Sequence, residues 1–311
     1  MASVRRPPTA GYLYIIAASC LWAVAGVAVK FFFNTTSIDP LTLVQFRVTL
    51  ATAVVGAALA ARRPDLLRLG RSDIRFFALY GTLGLASTQF FYYVAIRECG
   101  VAVAIFLQFL APVFSALYEM VILGRRGGPA TGPVLALSLG GALLLVLGRG
   151  EGVRTTPLGV AAGLAAALAL AYYTVAGRRV LDRMSPWTLL FWGMAAASLF
   201  WAVIQPPWVA LARPLGARDW GFFAYLAVFS TAIPFGLYLT GLRHVGPTTA
   251  ILTGGLEPVW ATGLAAVWLG EVPTAVQVVG CALILGAVVA LQVVPGATLA
   301  DRPSASPSAR P

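Results

Sequence analysis

Two stretches of this chain, residues 110–125 (LAPVFSALYEMVILGR) and 256–271 (LEPVWATGLAAVWLGE), lie 146 positions apart and share their landmarks. Pro112 of the first stretch aligns with Pro258 of the second. Both stretches are largely apolar, and each carries its proline at the same place. The pair therefore indicates two copies of one apolar unit.

The same offset aligns landmarks along the rest of the chain. The matched pairs are Pro40 with Pro186, Thr42 with Thr188, Leu43 with Leu189, Phe76-Phe77 with Phe222-Phe223, Tyr92 with Tyr238, Arg97 with Arg243, Gly100 with Gly246, Val113 with Val259, Gly124 with Gly270 and Gly140 with Gly286. Alanine and leucine coincidences are expected in a chain rich in both, whereas matched prolines, glycines, tyrosines and arginines are not. The sequence therefore predicts an internal repeat.

The composition excludes a soluble domain. The chain has 59% hydrophobic and 11% charged residues, with a mean hydropathy of +0.84, whereas ordinary globular chains carry roughly 25% charge. Three scattered cysteines do not make a disulfide scaffold. The net charge of +11 is spread between long uncharged runs and forms no continuous basic face. We therefore predict an integral membrane protein that binds no nucleic acid.

Cutting the chain at its charged residues leaves eight uncharged runs long enough to cross a bilayer, which takes about 20 residues, and two further spans are added that contain one charge each. They cover residues 11–29, 41–61, 76–96, 99–118, 127–148, 155–177, 184–212, 220–242, 245–270 and 272–300. Only two contain a charge, Arg47 in one and Glu257 in the other. The segments lack the alternating pattern of membrane β-strands. The predicted fold is all-α, with ten transmembrane helices.

The repeat divides these ten helices into two sets of five. The predicted organisation is an N-terminal segment (1–10), a first repeat (11–148), a second repeat (155–294) and a disordered tail (295–311). Because five is odd, the second repeat must insert upside down relative to the first. Inverted repeats are typical of alternating-access carriers, which hold substrate near the midplane of the membrane.

Positive charge predicts the orientation. One side of the predicted bundle carries fifteen basic residues, which are Arg5, Arg6, Arg62, Arg63, Arg68, Arg71, Arg75, Arg125, Arg126, Arg178, Arg179, Arg183, Arg243, Arg302 and Arg310. The other side carries six, which are Lys30, Arg97, Arg149, Arg154, Arg213 and Arg218. Positive loops stay in the cytoplasm. We therefore expect a multi-pass protein of a bacterial cytoplasmic (inner) membrane with both termini inside.

Several motifs resemble the drug/metabolite transporter superfamily, specifically its EamA type with ten helices in two five-helix repeats. Leu21-Trp22-Ala23 is similar to the family's Leu-Trp-Gly, and Phe46-Arg47 to its Phe-Arg pair. Residues 256–271 resemble its Glu-Pro-Val with a closing Leu-Gly-Glu. The resemblance covers about residues 11–294.

The first repeat departs from this pattern. It has Ala111 where Glu257 falls in the second repeat, and Arg125 replaces the closing glutamate. The resemblance implies a secondary transporter of a small organic metabolite, with export of amino acids or related compounds expected. The departures leave open whether both repeats take an equal part in coupling.

Pro112 and Pro258 are predicted to break their helices, because proline removes one backbone hydrogen bond and clashes with the carbonyl four residues earlier. Those carbonyls belong to Gln108 and Gly254. Interrupted helices at matching places in two repeats indicate a carrier's binding site. The alternative is that each proline makes a kink that only helps packing.

The two charges within predicted spans are candidates for substrate binding. Glu257 is near the middle of its span, where an ionised acid costs about 2.5–3.5 kcal/mol, so it should face the interior. It could be a cation or proton site, or a structural hydrogen-bond partner. Arg47 could hold a carboxylate, pair with an acid, or extend to the interface. Glu119 is expected at the inner membrane interface.

Polar and aromatic residues of central helices complete the predicted site. The substrate-binding candidates are Trp22, Arg47, Thr88, Gln89, Tyr92, Gln108, Tyr173, Trp192, Tyr238, Thr253 and Glu257. The alternatives are hydrogen bonds between helices for the polar groups, and interfacial or lipid-facing positions for the aromatic ones.

Other function classes fit less well. His244 is the only histidine, every aspartate falls outside or at the edge of a predicted span, and no glycine-rich phosphate loop with a lysine is present. We therefore predict no enzyme activity, no cofactor and no metal site, and expect a small-molecule substrate and the lipid bilayer as partners. A channel-like facilitator remains an alternative, and the oligomeric state stays open, with a homodimer among the options.

Overall fold

The structure is a computed structural model that describes residues 8–33, 38, 40–148, 156–212, 215–270 and 272–299. Within these residues the regular elements are helices, which agrees with the all-α prediction. Most of the predicted segments 1–10 and 295–311 lies outside the described residues. Glu271, which closes the 256–271 motif, lies outside them as well.

The helices follow one another through short turns. They are α1 (Pro8–Phe33), α2 (Pro40–Arg62), α3 (Ile74–Leu79), α4 (Ser87–Gln108), α5 (Ala111–Val121), α6 (Thr131–Leu147), α7 (Pro157–Val180), α8 (Pro186–Ile204), α9 (Pro207–Leu211), α10 (Ala217–Tyr225), α11 (Ile233–Leu242), α12 (Pro247–Gly254), α13 (Glu257–Leu269) and α14 (Ala275–Val293). A proline begins α1, α2, α7, α8 and α12, where its missing N–H costs no helical hydrogen bond. Side chains of Thr156, Ser185 and Thr274 cap α7, α8 and α14.

Eight helical stretches of the described chain are long and apolar enough to cross a membrane. They are Thr9–Val29, Leu41–Arg62, Val103–Val121, Pro157–Val180, Pro186–Ile204, Ala217–Leu242, Pro247–Trp268 and Ala275–Val293. The chain is therefore a multi-pass membrane protein. The predicted spans 76–96 and 127–148 are also helical. Helix α6, which falls in span 127–148, is shorter than these eight stretches. Span 76–96 contains the polar pair Thr88 and Gln89.

Two π-helical segments repeat at the offset found in the sequence. Tyr80–Ala86 joins α3 to α4, and Leu226–Ala232 joins α10 to α11, 146 positions later. π-Helical turns are rare and are frequently found at functional sites. Two seven-residue π-helical segments at matching positions of the repeat are therefore not expected by chance. Gly124 and Gly270 also match, because both have left-handed backbones with φ of 64° and 68°.

The matched helices α2 and α8 pack against each other and run antiparallel. Gln45 Nε2 donates to the backbone oxygen of Gln205, just beyond α8, at 2.7 Å. Further along α2, the hydroxyls of Thr52 and Ser198 share a hydrogen bond of 3.0 Å. Residue numbers therefore increase along α2 in the direction in which they decrease along α8. Thr52 and Ser198 are themselves 146 positions apart, so this bond joins equivalent positions.

The matched helices α6 and α14 form a second antiparallel pair. A Cβ atom on Gly141 would lie 2.7 Å from the carbonyl oxygen of Gly280, and one on Gly280 would lie 2.7 Å from that of Gly141. At the two ends of this pair, the hydroxyl of Thr131 donates to the carbonyl of Gly296 and that of Thr274 to the carbonyl of Gly148. Small residues thus allow the two backbones to approach closely.

The first helix of each half packs on the other half. Helix α1 lies along α11 and α13, and α7 lies along α4 and α5. Gly163 of α7 faces Leu107 of α4, and Gly11 of α1 faces Val245 just after α11. The main core lies between the halves and includes Tyr80.

Candidate functional site

Both prolines of the repeated motif follow directly on a break between two helices. Helix α4 ends at Gln108 and α5 begins at Ala111, with Pro112 in its first turn. Helix α12 ends at Gly254 and α13 begins at Glu257, with Pro258 in its first turn. Two interrupted spans therefore place helix ends inside the bundle at matching positions.

Glu257 is the first residue of α13 and its side chain is exposed. Trp260, three residues later and on the same face, donates its indole N–H to Ser19 Oγ of α1 at 3.2 Å. Ser19 is fully buried. Glu257 is therefore placed near the side of α13 that packs against α1.

Arg47 lies on α2, within the membrane-spanning stretch Leu41–Arg62. Its side chain is half-buried, and its Nε atom is buried without a hydrogen-bond partner. The ion pairs among the described residues do not include an Arg47–Glu257 contact within bonding distance. Arg47 and Glu257 are therefore not joined by a direct ion pair.

Aromatic side chains of α1, α7 and α11 pack against one another. Trp22 of α1 packs edge-on against Phe235, with ring centroids 5.1 Å apart, and against Tyr238 at 5.7 Å. Tyr238 shares a hydrogen bond of 3.0 Å with Thr174 of α7. Tyr173 packs edge-on against Phe235 from the other side, at 6.2 Å. The predicted residues Trp22, Tyr173 and Tyr238 thus come together.

Two predicted hydroxyl ligands are already satisfied inside their own helices. Thr88 donates to the carbonyl of Gly84 at 2.7 Å, and Thr253 donates to that of Thr249 at 2.8 Å. Both side chains are buried. Their geometry fits the alternative considered for them, a hydrogen bond within the protein, better than contact with a substrate.

The other predicted residues are spread around the bundle. Gln89 and Gln108 are half-buried on α4. Tyr92 packs with the small cluster around Ala95, Ala104 and Ala162, apart from the core that holds Trp22 and Tyr173. Trp192 belongs to that core, 6.4 Å from the Phe77 ring, and its buried indole nitrogen has no hydrogen-bond partner.

Sequence reasoning missed Tyr93, Ser19 and Phe235. Tyr92 drew attention because it aligns with Tyr238, but the adjacent Tyr93 is the one that packs against the main core. The consecutive tyrosines differ by about 100° around the helix, so the repeat alone could not choose between them. The three-residue spacing of Ser19 and Trp22 on α1 was the one available signal.

Glu119, which is expected at the inner membrane interface, is buried within the protein. Its carboxylate accepts hydrogen bonds from the backbone N–H of Thr248 at 2.9 Å and from the Thr248 hydroxyl at 2.7 Å. It also forms an ion pair with Arg125. Thr248 lies in the first turn of α12, so the carboxylate stabilises a helix N-terminus. Tertiary contacts thus bring two partner residues to this carboxylate, which the sequence did not indicate.

Among the described residues, histidine, cysteine and acidic side chains form no group of three that could hold a metal ion. A groove of about 650 Å³ lies at the start of α7, lined by Thr156, Pro157, Val160, Ala161 and Leu164. It is largely open and apolar.

The sequence matches the EamA-like transporter family twice, over residues 9–147 and 157–292. This chain belongs to the EamA-like transporter family. The two matches fall on the two halves that the 146-residue offset defines, and they confirm the family resemblance of the sequence motifs.

Named relatives are transporters. The chain is 28% identical over 259 residues to the threonine/homoserine exporter RhtA of Escherichia coli, covering 82% of this chain and 81% of the relative. It is 27% identical over 263 residues to a probable terminal-alkyne amino-acid exporter of Streptantibioticus cattleyicolor, covering 84% and 86%. An uncharacterized inner membrane transporter of Salmonella typhimurium, YicL, is 24% identical over 292 residues, covering 93% and 96%.

The fold also resembles a solved crystal structure. That structure has 25% sequence identity, a TM-score of 0.76, and an alignment that covers 92% of this chain and 96% of the other. The similarity therefore extends over the whole helical bundle and both halves of the repeat.

Proposed function

We propose that this EamA protein is a secondary carrier built from ten transmembrane helices in two inverted five-helix repeats, and that it works by alternating access. The observation that carries the proposal is the antiparallel pairing of equivalent helices, with Thr52 bonded to Ser198. When equivalent helices meet antiparallel at equivalent residues, a two-fold axis perpendicular to those helices relates the two copies. Such an axis would lie in the membrane plane.

This symmetry supports two conformations of similar energy. If each half can adopt the conformation of the other, the bundle can open first to one side and then to the other around a fixed site. The paired helix breaks before Pro112 and Pro258 lie where such a site is expected. Because α1 and α7, the first helices of the two halves, each pack against the other half, they would couple the movements of the two halves.

The substrate we propose is an amino acid or a related small metabolite, moved outward across the bacterial inner membrane. The support for this class is the names of two relatives, which are amino-acid exporters. The excess of basic residues on one side supports cytoplasmic termini.

Counterflow in proteoliposomes tests the transport class. Vesicles loaded with unlabelled L-threonine or L-homoserine should transiently accumulate the radiolabelled compound from outside, and protein-free vesicles should not. A carrier gives saturable counterflow, whereas a channel-like facilitator gives flux that neither saturates nor counterflows. No flux across the protein amino acids would contradict the proposed substrate class.

Labelling of the termini tests the architecture. In a protein without its three native cysteines, single cysteines placed in the first and last few residues should both react with a membrane-impermeant thiol reagent only after the cytoplasmic face is exposed. Labelling from opposite faces would contradict the ten-helix proposal, because an even number of spans puts both ends on one side.

A further inference from the structure

We propose that the hydrogen bonds around Glu119 form the inner gate of this carrier, and that the structure shows this gate closed. The inference deepens the proposed function, because it specifies which contact must break before the bundle opens to the cytoplasm. It rests on the inverted repeats and the cytoplasmic termini of that proposal. The packing of α5 against α12 carries it, together with the different packing of the equivalent segments at the other end.

The Glu119 carboxylate joins the two halves of the repeat. Glu119 lies near the end of α5 and accepts hydrogen bonds from the N–H and the hydroxyl of Thr248, in the first turn of α12. The Thr248 hydroxyl also lies 3.1 Å from that of Ser115, one turn earlier on α5. Arg125, just beyond α5, pairs with the same carboxylate. These contacts, called the Glu119 bridge below, hold the end of α5 against the start of α12.

The end of α7 packs on the same contact. Helix α7 lies against both α5 and α12, and the Arg179 guanidinium lies 5.1 Å from the centre of the Tyr118 ring of α5. Two turns before the bridge, Ala111 of α5, Ala167 of α7 and Ile251 of α12 form one buried cluster. Helices from both halves therefore close this end of the bundle with a polar layer and an apolar layer.

The equivalent segments at the other end are packed less tightly. At the offset of 146, α13 corresponds to α5, and residues 101–108 of α4 correspond to α12. The backbones of α5 and α12 pack against each other, whereas those of α13 and α4 do not approach each other to that extent among the described residues. Residues 247–253 of α12 are all buried, but within residues 103–108 only Ala104 and Leu107 are buried.

This difference defines the conformation. Equivalent segments of inverted repeats lie at opposite ends of the bundle. The end at which α5 meets α12 is therefore the closed one, and the end at which α13 would meet α4 is the more open one. Because Arg125 and Arg179 lie on the side with the excess of basic residues, the closed end is the cytoplasmic end.

The polar bridge exists at one end only. Alanine stands at each equivalent position, with Ala261 for Ser115, Ala265 for Glu119 and Ala102 for Thr248. The outer end therefore cannot close through the same hydrogen bonds. A buried hydrogen bond to a charged group is strong while water is excluded, so the bridge favours the conformation that is closed to the cytoplasm.

Labelling of two cysteines tests the gate without any substrate. In a protein without its three native cysteines, Ala116→Cys places a thiol in the closed end, because Ala116 is buried and lies on the Glu119 face of α5. Ala265→Cys places one at the position equivalent to Glu119, which is half-buried. With the bridge intact, the thiol of Ala265→Cys should react faster with a small, water-soluble reagent in detergent than that of Ala116→Cys.

Breaking the bridge should shift labelling from the outer to the inner cysteine. Glu119→Gln removes the charge that pairs with Arg125, and Thr248→Val removes the hydroxyl donor. Because each variant loses a hydrogen bond to a charged group, the ratio of the Ala116→Cys rate to the Ala265→Cys rate should rise about ten-fold. This ratio follows the populations of the two open conformations.

The control for these variants is Asp65→Asn, which removes an exposed charge paired with Arg63 and should leave the ratio unchanged. Local unfolding would raise both labelling rates together. A ratio that stays constant in Glu119→Gln and Thr248→Val, with or without such a common rise, would overturn the proposal.

A crosslink across the gate tests whether it opens during transport. Ser115→Cys with Thr248→Cys places two thiols where hydroxyl oxygens lie 3.1 Å apart. The oxidised protein should lose counterflow of L-threonine and regain it with a reductant, whereas each single-cysteine variant should be insensitive to the oxidant. Counterflow that persists in fully crosslinked protein would contradict an inner gate at this contact.

The two experiments separate this inference from the proposed function. If wild-type protein moves no amino acid but the labelling ratio responds to the bridge, the proposed substrate class is wrong and the gate stands. If counterflow occurs but the labelling ratio does not respond, the gate is wrong and the transport function stands.

Discussion

At the level of single residues, Glu119 and Glu257 are two carboxylates with opposite surroundings. Glu119 is only 1% exposed and is bonded to the N–H and hydroxyl of Thr248 and to Arg125. Glu257 is exposed and has no bonded partner among the described residues. The first is therefore expected to stabilise the fold, and the second to be available to a ligand.

Replacing Glu119 should destabilise the protein. Glu119→Ala leaves the Arg125 charge, which is 20% exposed, without its carboxylate and removes the acceptor at the start of α12. Loss of one partner of a buried ion pair costs about 3 kcal/mol, so the midpoint of thermal unfolding in detergent should fall. Glu119→Gln keeps the acceptor for Thr248 and should lose less. Equal midpoints for Glu119→Ala and wild type would contradict the assigned role.

The exposed ion pair of Arg63 and Asp65 is the matched control for the buried pair of Glu119 and Arg125. Arg63 donates hydrogen bonds of 3.1 and 3.0 Å to Asp65, and these lower the pKa of the Asp65 carboxyl. Any resulting stabilisation is present above the pKa of the unfolded state and is lost as pH falls through the folded pKa. Because both side chains are more than half exposed, solvent screens the pair. We expect Asp65→Asn to leave the unfolding midpoint unchanged at neutral pH.

At the level of elements, close contacts between matched helices depend on glycines. Helices α6 and α14 approach so closely at Gly141 and Gly280 that a side chain on either would meet the backbone of the other. Gly81, in the first π-helical segment, faces α8 in the same way, because its Cβ would lie 2.5 Å from the Gly193 carbonyl. The first contact joins equivalent helices of the two halves, and the second joins the first π-helical segment to α8.

Gly141→Val should therefore destabilise the bundle, whereas Gly140→Val should not. Gly141 lies against α14, but a Cβ on Gly140 would meet nothing within 4 Å. Overpacking costs about 1–3 kcal/mol. Both variants lose the same small amount of stability through helix propensity, so the difference between them reports the contact with α14. The midpoint of thermal unfolding in detergent measures this difference. A Gly140→Val midpoint as low as that of Gly141→Val would show that helix propensity, rather than packing, decides the result.

At the level of the whole molecule, the matched contacts describe two copies of one unit that are wrapped around each other. Each copy places its first helix on the other copy, and the equivalent helices α2 and α8 meet at Thr52 and Ser198. The contact between these two residues lies where the proposed two-fold axis would pass through the bundle.

A cysteine pair at Thr52 and Ser198 should crosslink. In a protein without its three native cysteines, Thr52→Cys with Ser198→Cys should form a disulfide under mild oxidation, because the hydroxyl oxygens they replace are 3.0 Å apart. Val54→Cys with Ser198→Cys is the control, since Val54 is exposed and points away. Crosslinking is read from gel mobility after cleavage between the halves. If the control pair crosslinks as readily, α2 does not face α8 as described.

The sequence by itself determined the class of the fold. Backbone groups in lipid must be bonded within a segment, so long uncharged runs predict helices without knowledge of their neighbours. The constant offset of prolines and glycines predicted the repeat, because these residues act on their own local backbone. The same local reasoning located the helix breaks before Pro112 and Pro258 and selected Arg47 and Glu257 as the charges within spans.

Only the tertiary structure decided which side chains meet. It joined Glu119 to Thr248 across 129 positions and packed Tyr93, rather than Tyr92, against the main core. It also bonded the hydroxyls of Thr88 and Thr253 to carbonyls of their own chain segments. Helix formation depends on local hydrogen bonds and hydropathy, whereas the neighbours of a side chain depend on how helices distant in the sequence rotate and pack. Hydropathy is nearly uniform around these helices, so it does not specify that rotation.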